Sequence, residues 1–182
     1  MNVESVTLRV IDALSEVGIP FMLVGSLSSN FYGVPRSTKD AEFVVQLDGR
    51  QLDGLVEKLG TDFRLDPQLT FETNTGTFKH LVEVQGKPFK VELFIVSSDA
   101  HDQERWGRKR VVTLLGRQVC LPSPEDVIIS KLRWARSKDK EDVRDVIAVQ
   151  RSQLDWSYVN HWCDQHGTRD LLEQIRQTVP LI

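Results

Sequence analysis

Three acidic side chains stand inside runs that read as β-strands. In Lys39-Asp40-Ala41-Glu42-Phe43-Val44-Val45, two carboxylates alternate into an apolar stretch. Successive side chains of a strand point to opposite faces, so Asp40 and Glu42 share one face and Ala41, Phe43 and Val45 the other. Two acids on one face repel each other unless a cation sits between them, and a hard divalent ion with oxygen ligands suits that position. The third acid lies in Lys90-Val91-Glu92-Leu93-Phe94-Ile95-Val96, where Glu92 shares a face with Phe94 and Val96. If the two strands are neighbours, the three carboxylates converge on one patch. Such a patch can hold two Mg²⁺ ions about 3.5 to 4 Å apart, the arrangement that clamps the attacking and leaving oxygens of phosphoryl transfer.

A second constellation precedes the first acids. Phe21-Met22-Leu23-Val24 ends in Gly25-Ser26. A strand ending in Gly-Ser at the start of a helix exposes backbone N–H groups and lets a phosphate approach closely. Ser26 adds a hydroxyl. Backbone donors and metal-binding acids together describe a triphosphate site.

Each of these features also has a plain structural reading. Asp40 and Glu42 fit a solvated strand face paired with Lys39 and Arg36, Glu92 fits an edge-strand charge, and Gly25 fits a turn. Lys131, Arg133 and Arg136 are either phosphate contacts or the polar face of a helix. Asp142 and Asp145 are placed to hold Lys131 or Arg136 as structural ion pairs. Arg105, Arg108, Lys109 and Arg110 surround Trp106, which suits either a nucleic-acid acceptor such as a tRNA end or a solvated loop. His161, Cys163 and His166 do not make a zinc set, because residues two apart on a helix face different ways. Ser26 has no His or Lys at a spacing that would make it a nucleophile.

The elements that must position these residues follow from periodicity. Val3, Val6, Val10, Leu14 and Val17 recur at helical steps and predict an amphipathic helix over 2–17. Phe21 to Val24 is a short buried strand, Leu27 to Tyr32 a short helix and Lys39 to Leu47 a second strand. Asp48 is expected to cap a helix through Leu52, Leu55, Val56 and Leu59 that ends at Gly60. Residues 61–77 are polar and irregular, a weak strand plus loop. Phe78 to Val84 and Phe89 to Val96 flank Gln85-Gly86-Lys87-Pro88 and read as a hairpin. Ser97 to Arg108 reads as a short helix. Val111 to Leu115 and Gln118 to Leu121 form a second hairpin around Gly116-Arg117. From Pro122 the character changes. Ser123-Pro124-Glu125-Asp126 combines an N-cap, a first-turn proline and first-turn acids. Helices are expected over Val127 to Arg136, Asp139 to Gln150, Leu154 to His166 and Thr168 to Gln177.

The bulk properties set outer bounds. The chain has 182 residues, with 40% hydrophobic and 27% charged residues, a net charge of -3 and two cysteines. That length buries a core without disulfides. The charge argues against coating duplex nucleic acid by bulk attraction. Two separated cysteines without a C-x-x-C pair fit a reduced compartment. No apolar run is long enough to span a bilayer, and the N-terminus lacks a signal-peptide layout, so a cytoplasmic protein without membrane contact is expected.

Val24-Gly25-Ser26, then Tyr32-Gly33, then Arg36-Ser37-Thr38-Lys39-Asp40-Ala41-Glu42 resembles the nucleotidyltransferase superfamily, the DNA polymerase β-like fold. Within it the pattern is similar to the branch of AbiEii-type toxins of toxin–antitoxin systems. Leu121-Pro122-Ser123-Pro124-Glu125-Asp126, Lys131-Leu132 and Lys138-Asp139-Lys140-Glu141-Asp142-Val143-Arg144-Asp145-Val146 resemble the helical segment that follows the catalytic core there. The resemblance covers roughly residues 20–150. It implies an α+β fold, a mixed-sheet core over 1–122 flanked by helices and followed by a helical region over 123–182. It implies an enzyme that moves an NMP from an NTP to an acceptor, whether tRNA, protein or small molecule, with two Mg²⁺ ions for which Mn²⁺ substitutes, and an antitoxin partner. Asp40, Glu42 and Glu92 would be catalytic and metal-binding. Gly25, Ser26, Arg36, Thr38 and Lys131 would hold the nucleotide. Two departures stand out: Glu instead of the commoner Asp at position 92, and Lys39 where relatives carry an apolar residue. They motivate the alternative of a nucleotide- or partner-binding module of the same fold.

Overall fold

The computed structural model describes residues 2–48 and 52–180. Helix α1 (Val3–Glu16) starts at Asn2, whose side chain accepts the Ser5 N–H at 2.9 Å, and buries Val6, Val10, Ile11 and Leu14. Strand β1 (Phe21–Val24) runs without a break into α2 (Gly25–Tyr32), and β2 (Asp40–Val45) follows. Then come α3 (Asp53–Leu59), the short strands β3 (Phe63–Leu65) and β4 (Thr70–Glu72), and the hairpin of β5 (Thr77–Val84) and β6 (Lys90–Ile95). Helix α4 (Ala100–Gly107) leads to a separate hairpin, β7 (Arg110–Leu114) and β8 (Arg117–Leu121). The remainder is helical: α5 (Pro124–Trp134), α6 (Ser137–Gln150), α7 (Trp156–His166) and α8 (Arg169–Gln177).

The main sheet has the order β1-β2-β6-β5-β3, with β4 also on β5. All its pairings are antiparallel except β2 with β6, which is parallel. Alternation along the strands sorts the side chains onto two faces. Leu23, Ala41, Phe43, Val45, Val91 and Leu93 belong to a buried cluster that also takes in Ile128, Val143, Val159 and Leu172 from the helical part. One continuous core thus joins residues on both sides of Pro122. The other face carries Met22, Val24, Val44 and Phe94, a smaller cluster beside the acids. The result is a mixed sheet flanked by helices, as the motif pattern implied.

One expectation fails. Asp48 does not cap α3: the helix begins at Asp53, its cap position is Leu52, and Asp48 sits in the left-handed region at φ 46°. Part of the expected helix, residues 49–51, lies outside the described residues. A short polar side chain serves a left-handed turn as readily as a helix start, so the type of residue did not decide between them.

Helix α5 starts as its local chemistry requires. The Ser123 hydroxyl accepts the Asp126 N–H at 3.2 Å and donates to Asp126 Oδ2 at 2.6 Å, with Pro124 at the first turn. Ser123 is buried, so no water replaces these bonds. Ser123→Ala should lower unfolding stability by about 1–2 kcal/mol, read from urea denaturation.

Candidate functional site

The junction of β1 and α2 is shaped around one carboxylate. Gly25 has φ +65°, and a Cβ there would lie 1.7 Å from Glu42 Oε2. A side chain at this position is excluded twice, by backbone conformation and by contact with the acid. The Ser26 N–H donates to Glu42 Oε2 at 3.3 Å. The Ser26 N–H at the start of α2 therefore faces Glu42 directly.

Sheet pairing brings the third acid alongside. In the parallel β2–β6 register Glu42 pairs with Glu92, and Asp40 lies two residues earlier, opposite Lys90. Neighbouring strands thus set Glu42 and Glu92 next to each other on the same face as Asp40. Glu92 has a partner that local sequence patterning missed. Lys79 on β5 donates to Glu92 Oε1 at 2.6 Å and lies over the Phe94 ring. This is a cross-strand pair formed by the register of β5 against β6. Lys39 is exposed. The Thr38 hydroxyl donates to the Asp40 carbonyl and accepts the Asp40 N–H, at 3.2 and 3.4 Å, shaping the entry into β2.

Burial pushes the Glu42 carboxyl up from its ordinary range, and the charge of Glu92 adds to that. Lys131, the Ser26 N–H and Arg136 pull the other way and do not cancel it. A half-buried carboxylate with one weak backbone donor and a second acid beside it is short of positive charge. Its oxygen-only donor set suits a hard cation such as Mg²⁺ or Mn²⁺.

The opposite wall is basic and tightly held. Asp142 on α6 accepts Arg36 Nε at 2.6 Å and Nη2 at 2.9 Å, Lys131 Nζ at 2.7 Å and the Ser29 hydroxyl at 3.2 Å. Arg36 Nη2 also donates to Ser26 Oγ at 3.0 Å. Asp139 takes a second Lys131 contact at 3.2 Å and Arg136 Nε at 2.6 Å. Asp142 therefore holds Lys131 as an ion pair, while Asp145 pairs with Arg144 instead. Three cations meet two carboxylates in this network, which leaves one positive charge over. Asp139 and Asp142 are both held below the usual carboxylate range. Burial alone would raise them, and the Arg136, Lys131 and Arg36 contacts overcome it.

Between the two walls runs a cleft of about 790 Å³ of empty space, solvent at its mouth included. Its lining combines Gly25, Glu42, Lys131 and Arg136 with the apolar Val44, Phe94, Val127 and Trp134 and with His101, Arg105 and Arg133. The Arg105 to Arg110 cluster is not a free basic surface. Arg105 is buried against Asp102 and Ser130, Arg108 stacks on the Tyr158 ring, and Lys109 lies over Trp106.

A family model described as nucleotidyl transferase of unknown function (DUF2204) matches residues 4–161. No curated protein matches the chain. Among solved structures, ANT(2")-Ia in complex with adenylyl-2"-tobramycin is similar at 18% identity and a TM-score of 0.64, covering 91% of this chain and 97% of that one. The lincosamide antibiotic adenylyltransferase LnuA, lincomycin-bound, is similar at 8% identity and a TM-score of 0.55, covering 81% and 98%. An antigenic nucleotidyltransferase-like protein from Paracoccidioides brasiliensis is similar at 17% identity and a TM-score of 0.52, covering 93% and 90%. At these identities the likeness is one of fold.

Two outcomes follow from the geometry around Glu42. Gly25→Ala should displace the acid and abolish divalent-ion binding at the patch, read by Mn²⁺ titration with paramagnetic resonance. Glu42→Gln should raise the melting temperature of metal-free protein at pH 7, because it removes a charge that burial disfavours. The folded carboxyl is raised above its unfolded range. The gain should therefore shrink as pH falls and vanish below the unfolded carboxyl's range, where both states are protonated. Melting curves across that range check the sign.

Proposed function

The chain belongs to the family of nucleotidyl transferases of unknown function, and on that premise we propose that it moves an NMP from an NTP to an acceptor hydroxyl. The observation that carries this reading is the Glu42–Glu92 pairing in the parallel register, facing the Ser26 N–H across a glycine that leaves no room for a side chain. Asp40, Glu42 and Glu92 are the residues that would hold Mg²⁺. When bound, the ion supplies charge neutralisation at the transferring phosphoryl group.

The chain's own residues divide the remaining work. Gly25 permits close approach at the α2 start, and Ser26 presents its N–H and its hydroxyl there. Arg36 orients that hydroxyl. Lys131 spends two contacts on Asp139 and Asp142, and its ammonium has a third donor for a phosphate oxygen. The acceptor oxygen attacks the α-phosphorus, the bond to the β-phosphate oxygen breaks, and pyrophosphate leaves. The acceptor proton would pass to a carboxylate of the patch, a role we assign to Glu92. Thr38 supports Asp40 through its backbone.

The acceptor class we favour is a small hydroxyl-bearing molecule. Two similar folds carry adenylyl-2"-tobramycin and lincomycin in their structures, and the apolar side chains in the cleft lining, Val44, Phe94, Val127 and Trp134, suit a compact organic body. A tRNA or protein acceptor, with a toxin role and an antitoxin partner, is the competing reading carried by the sequence resemblance. The Lys79–Glu92 pair favours a second possibility for the patch itself. With Lys79 neutralising the third acid, the site binds nucleotide without turnover.

Incubating the purified chain with each labelled NTP, Mg²⁺ or Mn²⁺, and separate aminoglycoside, lincosamide, tRNA and protein acceptors tests these readings. Transfer to a small molecule is expected, and Asp40→Asn or Glu42→Gln should lower it by about 10²-fold or more. Transfer that survives Asp40→Asn overturns the mechanism. Calorimetry that finds NTP binding with no transfer to any acceptor supports the binding module.

A further inference from the structure

Away from the carboxylate patch, a second group of ligand-type side chains closes on itself. Asp99 caps α4, His101 lies in its first turn, and His166 ends α7. One donor atom from each lies within 4.8 Å of the others. The two imidazoles meet edge to face at 5.4 Å, and Trp162 packs against both, at 5.0 Å from His101 and 5.5 Å from His166.

The surroundings orient the side chains. His101 Nε2 lies 3.0 Å from Asp126 Oδ1, and that carboxylate also accepts from Ser123 and Tyr158. Asp126 is fully buried. With Nε2 of His101 engaged by Asp126, Nδ1 is the ring nitrogen left to ligate. A carboxylate behind a histidine in this way is the outer-shell arrangement that orients imidazole ligands on metals. His166 Nδ1 is buried with no hydrogen-bond partner, although buried polar atoms normally have one. Asp99 accepts Arg133 through both oxygens and the Asp102 N–H through Oδ1, so Oδ2 carries a single donor and retains a lone pair. Arg133 orients that carboxylate, and its charge is matched by Asp99, as that of Arg108 is by Asp126.

We propose that Asp99, His101 and His166 form a site for a borderline transition ion of the Zn²⁺ class, separate from the Asp40–Glu42–Glu92 patch. Two imidazoles and one carboxylate are ligands that Zn²⁺, Co²⁺ and Ni²⁺ accept and that Mg²⁺ does not favour. The ion joins the start of α4 to the end of α7, and so ties the helical region to the cleft wall that His101 and Arg133 line. The site does not depend on any nucleotidyl transfer.

The test uses the full chain with Asp40→Asn and Glu42→Gln together, so that the acidic patch no longer competes, after stripping with chelator. Zn²⁺ is expected to bind at one equivalent by calorimetry and to raise the melting temperature, while Mg²⁺ does neither. Co²⁺ should give the visible absorption of a tetrahedral complex. His166→Gln on this background, with its fold verified by circular dichroism, should weaken Zn²⁺ by at least about tenfold and remove the Co²⁺ band. His161→Gln, a residue outside the cluster on the same helix, should leave both in place. Folded protein that shows no saturable Zn²⁺ binding, or a His166→Gln protein that binds as tightly as its parent, overturns the proposal.

Discussion

Asp142 is the carboxylate on which the arrangement of the molecule turns. It is almost fully buried and accepts from Arg36, Lys131 and Ser29 at once. A lone buried carboxylate costs several kcal/mol, of order 3–5 when one partner of a buried pair is lost. The three donors come from α2, the loop after it and α5, while Asp142 itself rides on α6. Displacing any of these elements strands a charge out of water. The helical region is thereby locked to the strand–helix junction by position-specific contacts, where the shared apolar core alone would tolerate sliding.

Around the cleft, acids are pushed in opposite directions. Asp139 and Asp142 are buried, paired and held low, so they stay ionised and add stability at neutral pH. That stability is lost only as pH falls through their lowered folded range. Glu42 is half-buried but inadequately paired, and it is raised. An acid left in that state costs stability, and such groups concentrate where a ligand completes them. Gly25 sharpens the point. The close approach of its Cα to Glu42 needs both the left-handed backbone and the missing side chain. The fold thus gives up local stability to place one carboxylate against the start of a helix.

Much of this was readable in the sequence, and the reasons are physical. Strand alternation put Asp40 and Glu42 on one face, and a local cap signal started α5 at Ser123 because both features involve residues a few positions apart. The adjacency of Glu42 and Glu92 required the strand order, which the sequence could only pose as a condition. Lys79 was missed because its pairing with Glu92 exists only in the β5–β6 register. His166 was weighed only against its own helix, where His161 and Cys163 indeed face elsewhere. Its partner is His101, contributed by α4 from far back in the chain. In sequence the Arg105 to Arg110 cluster is open between a nucleic-acid contact and a solvated loop; Arg105 and Lys109 make local contacts to Asp102 and Trp106, and Arg108 stacks on Tyr158, a contact from far along the chain. Asp48 failed because a helix cap and a left-handed turn use the same side chain.

The two walls of the cleft solve different electrostatic problems with different kinds of element. Acids on neighbouring strands have their spacing set by backbone hydrogen bonds, which suits a cation that tolerates little variation in geometry. An anionic phosphate chain approaching such acids meets repulsion, and the strands offer no room to relieve it. Under the proposed function, relief would come from long cationic side chains on the facing helices and loop. Arg36, Lys131 and Arg136 outnumber Asp139 and Asp142 by one charge, and each is steered by at least one carboxylate contact that limits its rotamers. The buried acids of α6 thus fix cation positions without cancelling the wall's positive sign. Removing that surplus would leave the carboxylate patch intact in shape and unapproachable in charge.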